Sequence, residues 1–291
     1  MVKSVLKKIR EIIAFCYYLL AAPDWRFNKF PYLNKYKGKK AMVFGNGPST
    51  KIVLDKSDKG DIEILQDSFF VNYAPLDPHF FKIKPKHYLL CDLVFARDTK
   101  DNRVEMTRRM YDLLEKEVDW DLSIYLGFMK REYCEELIKF SKIKNPLIHF
   151  VYLNKKTCPL LSSGFRHWLY KKGLFMPEEG SVVNTAIYIA LIEGYKEIEL
   201  YGVEHNMFLN LRMNEQHQLC IIHKNFYDKE EQLVPITLDG SFKQGKIHNY
   251  MSFIHTMFNS HYLLKQFADY LGAKIINCTP NSMIDVYEFK E

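Results

Sequence analysis

Residues 41–49 read Ala41-Met42-Val43-Phe44-Gly45-Asn46-Gly47-Pro48-Ser49. An apolar run passes directly into two glycines, a proline and a serine, the pattern of a buried strand that ends in a tight turn. Gly45 and Gly47 let the backbone turn sharply and approach a ligand closely, and Asn46 offers an amide to a base or ribose. In an open α/β sheet, the crevice beyond the carboxyl end of the first strand is where nucleotides bind. The stretch is not G-x-G-x-x-G and lacks the lysine of a P-loop, which weakens a dinucleotide or ATP reading. A plain tight turn is the bland alternative.

Outward from this stretch, short apolar runs alternate with helical patterns. Strands are predicted at Lys40–Gly45, Ser68–Val71, His87–Cys91, Leu122–Leu126, Leu147–Leu153, Glu197–Tyr201 and Lys274–Asn277. Helices are predicted at about Arg103–Lys116, Arg131–Ser141, Phe165–Lys171, Ser181–Glu193 and Tyr250–Tyr270. This alternation predicts an α/β fold with a mostly parallel sheet and helices on both faces. The helix from Ser181 is apolar nearly all round and is expected at the centre. Segment 203–248 is long, polar and rich in His and Asn, and reads as a lid-like insertion. Three strand ends carry polar residues towards one crevice: Asn46 with Ser49, then Asn72, then Asp92. Ser181 is a plausible N-cap after Gly180, and exposed amides there attract an anion. The strand Glu197–Tyr201 ends in Gly202-Val203-Glu204-His205, again a strand end bearing polar groups.

The 291 residues are 47% hydrophobic, 15% aromatic and 26% charged, which excludes disorder, collagen-like repeats and a disulfide-stapled miniprotein. The net charge of +6 divides unevenly: residues 1–40 carry +8 and the remainder −2. A near-neutral body argues against nucleic acid as a partner. Six cysteines without a C-x-x-C pair fit reduced thiols of a cytoplasmic chain.

The basic N-terminal arm spans residues 1–39 and precedes an expected catalytic domain at 40–291. Val2, Val5, Leu6, Ile9, Ile12, Ile13, Cys16, Leu19 and Leu20 recur at helical spacing between Lys3, Lys7, Lys8 and Arg10. The apolar run from Ile12 to Pro23 is shorter than the roughly 20 residues needed to span a bilayer. A helix lying in the surface of an anionic membrane fits best; a helix covering the domain and a secretory signal are the alternatives.

Three stretches carry a family resemblance: Gly45-Asn46-Gly47-Pro48-Ser49, the run Ser181–Gly202 (SVVNTAIYIALIEGYKEIELYG), and Cys278-Thr279-Pro280-Asn281-Ser282. In order and spacing they resemble the bacterial CMP-sialic-acid-dependent sialyltransferases of lipo-oligosaccharide synthesis. The Gly-Ser-Val opening of the helix at Ser181 also resembles the hydroxymethylpterin diphosphokinase-like proteins and the flagellin-glycosylation accessory factors. The resemblance implies a Rossmann-like, GT-A-like fold. It implies inverting, metal-independent transfer of sialic acid or a related ulosonic acid from a CMP-sugar to a glycan or lipid-linked glycan. No cofactor is then required. The nucleotide sugar would meet Gly45, Asn46, Gly47, Pro48, Ser49, Asn72, Asp92, Gly180, Ser181, Gly202, Glu204 and His205. Asp92 stands where the family uses Asn, and His205 where it has an aromatic residue.

The family uses a histidine as general base on the acceptor hydroxyl, and imidazole suits the task because it titrates near neutrality. His248, just before the last long helix, is preferred; His255 has the family's spacing to Pro280-Asn281-Ser282; His205 and His223 remain alternatives. The remaining histidines read as structural or surface groups. Tyr227 is the candidate for stabilising the departing phosphate. Asp119-Trp120-Asp121 spells D-x-D, but it precedes a strand instead of following one and reads as a polar turn. Expected partners are the CMP-sugar, the glycan acceptor and the inner face of the cytoplasmic membrane, with self-association left open. A Mg²⁺- and ATP-dependent pterin-type pyrophosphokinase, or a non-catalytic membrane-associated assembly protein, would be the competing functions.

Overall fold

The seven expected runs form strands because most of their residues are apolar and buried, as a sheet covered on both faces requires, with the carboxylate of Glu199 paired to Lys40. They are β1 (Lys40–Phe44), β2 (Ser68–Val71), β3 (His87–Leu90), β4 (Leu122–Leu126), β5 (Ile148–Tyr152), β6 (Glu197–Tyr201) and, later in the chain, β10 (Lys274–Asn277). The computed structural model describes residues 2–21, 29–97, 103–128, 130–223, 232–237 and 245–290. Within them a short β11 (Glu288–Phe289) completes an eight-stranded, all-parallel sheet of order β11-β10-β6-β1-β2-β3-β4-β5.

From β1 the chain moves strand by strand to β5 and then returns to place β6 on the other side of β1. The pair β1–β6 is therefore the point at which the direction of winding reverses. Alternate residues serve two cores. Ala41, Val43, Phe69, Val71, Leu89 and Tyr125 face a layer with α6 (Ser163–Lys171), α7 (Val182–Glu193) and α8 (Ile247–Leu271). Met42, Phe44, Phe70, Tyr88 and Leu90 face the layer that includes α3 (His79–Ile83), α4 (Val104–Glu117) and α5 (Arg131–Ser141). Across this second face Tyr201, Phe44 and Phe70 stack in a row, with ring centroids 5.3 and 4.7 Å apart.

Two features depart from the sequence reading. Residues 49–58, which carry no strong apolar stripe, form a helix, α2 (Ser49–Asp58). Segment 203–248 is not wholly irregular: β7 (Leu211–Met213), β8 (Leu219–His223) and β9 (Gln232–Pro235) make a small antiparallel sheet. It packs through Leu219 and Ile221 on Tyr250, Ile254 and Met257 of α8. The N-terminal helix α1 (Val2–Ala21) packs on the body, with Ala14, and Phe30 after it, buried in the first core.

The turn at residues 31–39 has a definite task, because it caps the carboxyl end of α7. The amides of Asn34 and Tyr36 donate to the carbonyls of Ile192 and Glu193 at 3.0 and 2.9 Å. Gly194 adopts φ +96°, and a Cβ there would stand 3.1 Å from the Lys37 Cα, so glycine is needed twice over. Behind it lies a buried polar network. His87 contacts the hydroxyls of Tyr125 and Tyr195 at 2.9 Å each, and Tyr125 donates to Glu193 at 2.6 Å. Burial pushes Glu193 up to about 8 and His87 down to about 3. Although their charged atoms lie only 3.6 Å apart, near neutral pH the two groups meet as an uncharged imidazole and a carboxylic acid, not as an ion pair.

Glu193 thus keeps its proton in the folded chain up to about pH 8, whereas its ordinary value is 4.5. Its contribution to stability is full below pH 4.5 and is lost as pH rises towards 8. Glu193→Gln cannot ionise. Its unfolding free energy relative to wild type should rise by about 1 kcal/mol per pH unit between roughly pH 5 and 7. Urea denaturation of both proteins over that range measures the difference, and two parallel curves would show that Glu193 is not protonated.

Candidate functional site

A cleft of about 540 Å³ opens where β1 and β6 part, at the carboxyl edge of the sheet. This volume suits a nucleotide-sized ligand. Nine of the residues expected at the site line it together: Gly45, Asn46, Gly47, Pro48, Ser49, Ser181, Gly202, Glu204 and His205. Met207 and Ile222, from the stretch that includes the small antiparallel sheet, wall one side, and Pro280 and Asn281 after β10 wall another.

The glycines are explained by the two loops touching each other. Gly45 donates to the Tyr201 carbonyl at 2.8 Å, and Gly47 to the Gly202 carbonyl at 2.9 Å. A Cβ on Gly45 would lie 2.3 Å from the Gly202 oxygen, and one on Gly47 would run into Glu204. Gly202 itself holds φ +66°, and its Cβ would strike the Thr50 hydroxyl. These positions were expected to bring backbone close to a ligand; what they admit is the backbone and side chains of the neighbouring loop. The late Cys-Thr-Pro-Asn-Ser motif braces the same loop. The Val203 amide donates to Thr279 Oγ1 at 3.1 Å, and Ser282 Oγ donates to the Val203 carbonyl at 2.7 Å.

Glu204 sets the polarity of the site. Its Oε1 accepts from the Ser49 amide at 2.8 Å, so a carboxylate of the chain itself occupies the amino end of α2. That is where a phosphate sits in many folds of this kind. Its other oxygen, Oε2, is buried without a partner, as are Asn46 Oδ1 and Ser49 Oγ, and Asn72 Oδ1 nearby. Buried acceptors left unpaired are costly, and a ligand rich in donors would satisfy them.

The amino end of α7 offers the opposite character. Ser181 caps it by accepting from the Asn184 amide at 3.3 Å, and Val182 and Val183, whose amides have no partner within the helix, line the cleft. Glu179 does not oppose an anion there, because it pairs with Lys155 and accepts from Thr185. Gly180 does not line the cleft. A Cβ there would stand 2.4 Å from the Met257 Cα, so this glycine lets α8 pack closely on α7.

Among the histidines of the described residues, His205 is the one that lines the cleft. It is buried and holds φ +47°, an uncommon conformation for a residue with a side chain. Its Nδ1 is 3.2 Å from His261 Nε2, and His261 Nδ1 is 3.0 Å from the Tyr287 hydroxyl. The tautomers follow in order. Tyr287 donates to the His261 carbonyl at 3.2 Å, so its oxygen accepts from His261 Nδ1–H. His261 Nε2 is then an acceptor for His205 Nδ1–H, which leaves a lone pair on His205 Nε2. Burial pushes His205 down to about 4 and His261 well below its usual range.

The other expected residues lie elsewhere. His248 is the second residue of α8, which begins earlier than its sequence pattern indicates; it and His255 are exposed on that helix and do not line the cleft. Asp92 is exposed beyond β3, two strands from β1, and Asn72 adjoins the lining residue Val71. Tyr227 lies outside the described residues. Asp119 pairs with Lys84 and Asp121 with His149 at the opposite edge of the sheet, as a polar turn should. No group of three or more His, Cys, Asp and Glu among the described residues could hold a metal ion.

No family model and no curated protein matches the chain. Among solved structures, the MAf glycosyltransferase from Magnetospirillum magneticum AMB-1 is similar at a TM-score of 0.46 and 12% identity, over 98% of this chain and 38% of that one. The chain thus spans well under half of the length of the protein it matches.

The close contact of the two loops predicts a large effect of one methyl group. Gly202→Ala introduces both a strained φ and a clash with Thr50, and should destabilise the fold by about 2–4 kcal/mol. Chemical denaturation measures it, and a loss below about 0.5 kcal/mol would mean the loops can separate freely.

Proposed function

We propose that the chain is a glycosyltransferase whose cleft takes a CMP-activated ulosonic acid, such as sialic acid, and passes the sugar to a cell-surface glycan. The observation that carries this reading is a switch-point cleft that has unpartnered acceptors at the β1 loop and is lined by Val182 and Val183 of the first turn of α7, where helix amides lack a partner within the helix. Ribose hydroxyls and the cytosine amino group are donors that match Glu204 Oε2, Asn46 Oδ1 and Ser49 Oγ. The anionic end of the donor, phosphate or sugar carboxylate, matches the α7 end. CMP-sugars carry both characters in one molecule.

In this reading His205 is the base, because it lines the cleft and presents a bare Nε2. The bond from the sugar to the phosphate oxygen breaks and CMP departs with the electron pair. The acceptor oxygen forms the new bond, and its proton passes to His205 Nε2. His261 and Tyr287 are positioning residues that fix the tautomer. Met207 and Ile222, which wall the cleft, shield it from water. Transfer would be inverting and independent of metal, at the cytoplasmic face of the inner membrane.

Thermal shift with CMP, CDP, UDP, GDP and ATP, each with and without EDTA, tests the donor. CMP at a hundred times its Kd should raise Tm by about 5 °C, untouched by EDTA. Its 2′-deoxy form should give a smaller shift. A magnesium-dependent response to ATP alone would replace this reading by a pyrophosphokinase, and no response to any nucleotide by a non-catalytic role.

The base is tested by kinetics. His205→Ala should lower kcat by about 10²- to 10⁴-fold with CMP affinity nearly unchanged. Tyr287→Phe, which frees the His261 tautomer, should lower kcat by about tenfold at an unaltered donor KM. Because His205 is pushed down to about 4, the rate should hold through pH 6 and fall only as pH drops towards 4. An acid limb near the ordinary histidine value, together with an active His205→Ala protein, would move the role to another residue, with His248 and His255 the next to test.

A further inference from the structure

The helix α1 carries two apolar stripes where a helix that merely covers a core needs one. Ala14, Phe15, Tyr18 and Leu19 turn inward and join the first core. Ile9, Ile12, Ile13, Cys16, Tyr17 and Leu20 recur at three- and four-residue spacing on the other side, and all are exposed. Leu20 is 86% and Ile13 64% accessible.

The inward stripe docks α1 on the body beside further exposed apolar groups. The Leu160 amide donates to the Tyr18 hydroxyl at 3.0 Å. Phe15 packs on Phe165, which stacks on Trp168, with centroids 5.4 and 6.0 Å apart. Leu160 and Trp168 are themselves about half exposed, at 58% and 46%. Exposed apolar side chains therefore lie on α1 and, beside its docking contact, at Leu160 and on α6 at Trp168. Their charged neighbours are of a single sign almost throughout: Lys8 and Arg10 on α1, and Lys171 and Lys172 at the end of α6, are exposed. No helix of the described residues is long and apolar enough to cross a membrane.

We propose that this face lies flat on an anionic lipid bilayer. The isoleucines, Leu20 and Trp168 enter the boundary between headgroups and acyl chains, and the basic side chains meet lipid phosphates. An exposed apolar stripe along one helix marks an interaction site, and a +8 charge over residues 1–40 selects an anionic partner. An exposed indole such as that of Trp168 suits the headgroup level. The inference is independent of the transferase reading: it would hold for a protein that binds no nucleotide. Loop 153–162 leaves the carboxyl end of β5, the edge of the sheet on which the cleft opens, so a membrane-borne acceptor would approach from the side of the cleft.

Co-sedimentation of the full chain with vesicles is the test. The protein should bind phosphatidylcholine vesicles that contain phosphatidylglycerol, bind pure phosphatidylcholine far less, and lose binding as salt rises. Ile13→Glu with Leu20→Glu, both at exposed positions, should lower the partition coefficient about tenfold or more at unchanged circular dichroism. A second reading needs no charged variant: acyl-brominated lipid should quench part of the tryptophan fluorescence, and Trp168→Phe should remove that part. Absence of binding to the anionic vesicles, or equal binding by the double variant, would overturn the proposal. So would a lipid-free dimer of the wild type that the double variant converts to monomer.

Discussion

The contact between the loops after β1 and β6 is the constraint on which the site depends. Two parallel strands are in register to their last residues, Phe44 opposite Tyr201, and the loops that follow stay hydrogen-bonded to each other. Gly47 donates to Gly202, and the left-handed backbone at Gly202 points the chain back across the amino end of α2. That turn delivers Glu204 to the Ser49 amide. A side chain at any of the three glycines would push the loops apart, and the carboxylate would no longer reach the helix.

This local geometry has a chemical consequence. A helix amino end next to the first strand ordinarily attracts phosphate through its free amides and its dipole. Here the chain fills that position itself and turns an anion site into one that presents oxygen acceptors. The anion-attracting role is left to α7, whose cap uses Ser181 and Asn184 while Val182 and Val183 stay at the cleft. Glu179 would spoil that end were it unpaired, but Lys155, held charged by Glu179 against the opposing effect of burial, neutralises it. The cleft is thus bipolar.

The sequence made the seven core strands legible for a physical reason. Parallel strands covered on both faces are continuous apolar runs, and runs such as Ser-Phe-Phe-Val and Lys-Ile-Ile-Asn admit little else. It hid α2 because its ten residues bury only Val53 and Leu54 among apolar side chains. It hid β7 and β9 because Arg212, Met213, Leu233 and Val234 stay exposed, so no alternation marks them. The glycine-rich loop was legible as a turn at a crevice, but the reason for its glycines lies more than 150 residues away and is invisible locally. Gly180 fails in the same way: its partner is the backbone of α8. His248 drew attention through its place before a helix expected from Tyr250, but that helix begins at Ile247 and includes it.

The histidine chain is the hardest feature to account for as packing alone. His205 and His261 are each buried and each held below the usual imidazole range by that burial, so the fold loses stability by enclosing them as pH falls below the ordinary histidine value. His205 adds the strain of a positive φ without being glycine. Apolar residues of similar size at 205 and 261 would remove the cost of burying two imidazoles, though not the strain at 205, and a structural network would gain from closing on itself. This one does not close. Tyr287 and His261 satisfy each other and His205 Nδ1 completes the series, yet Nε2 is left without a partner on a residue that lines the cleft. A relay that settles every tautomer and ends in a lone pair at a ligand-sized opening is the arrangement expected when strain is retained for chemistry.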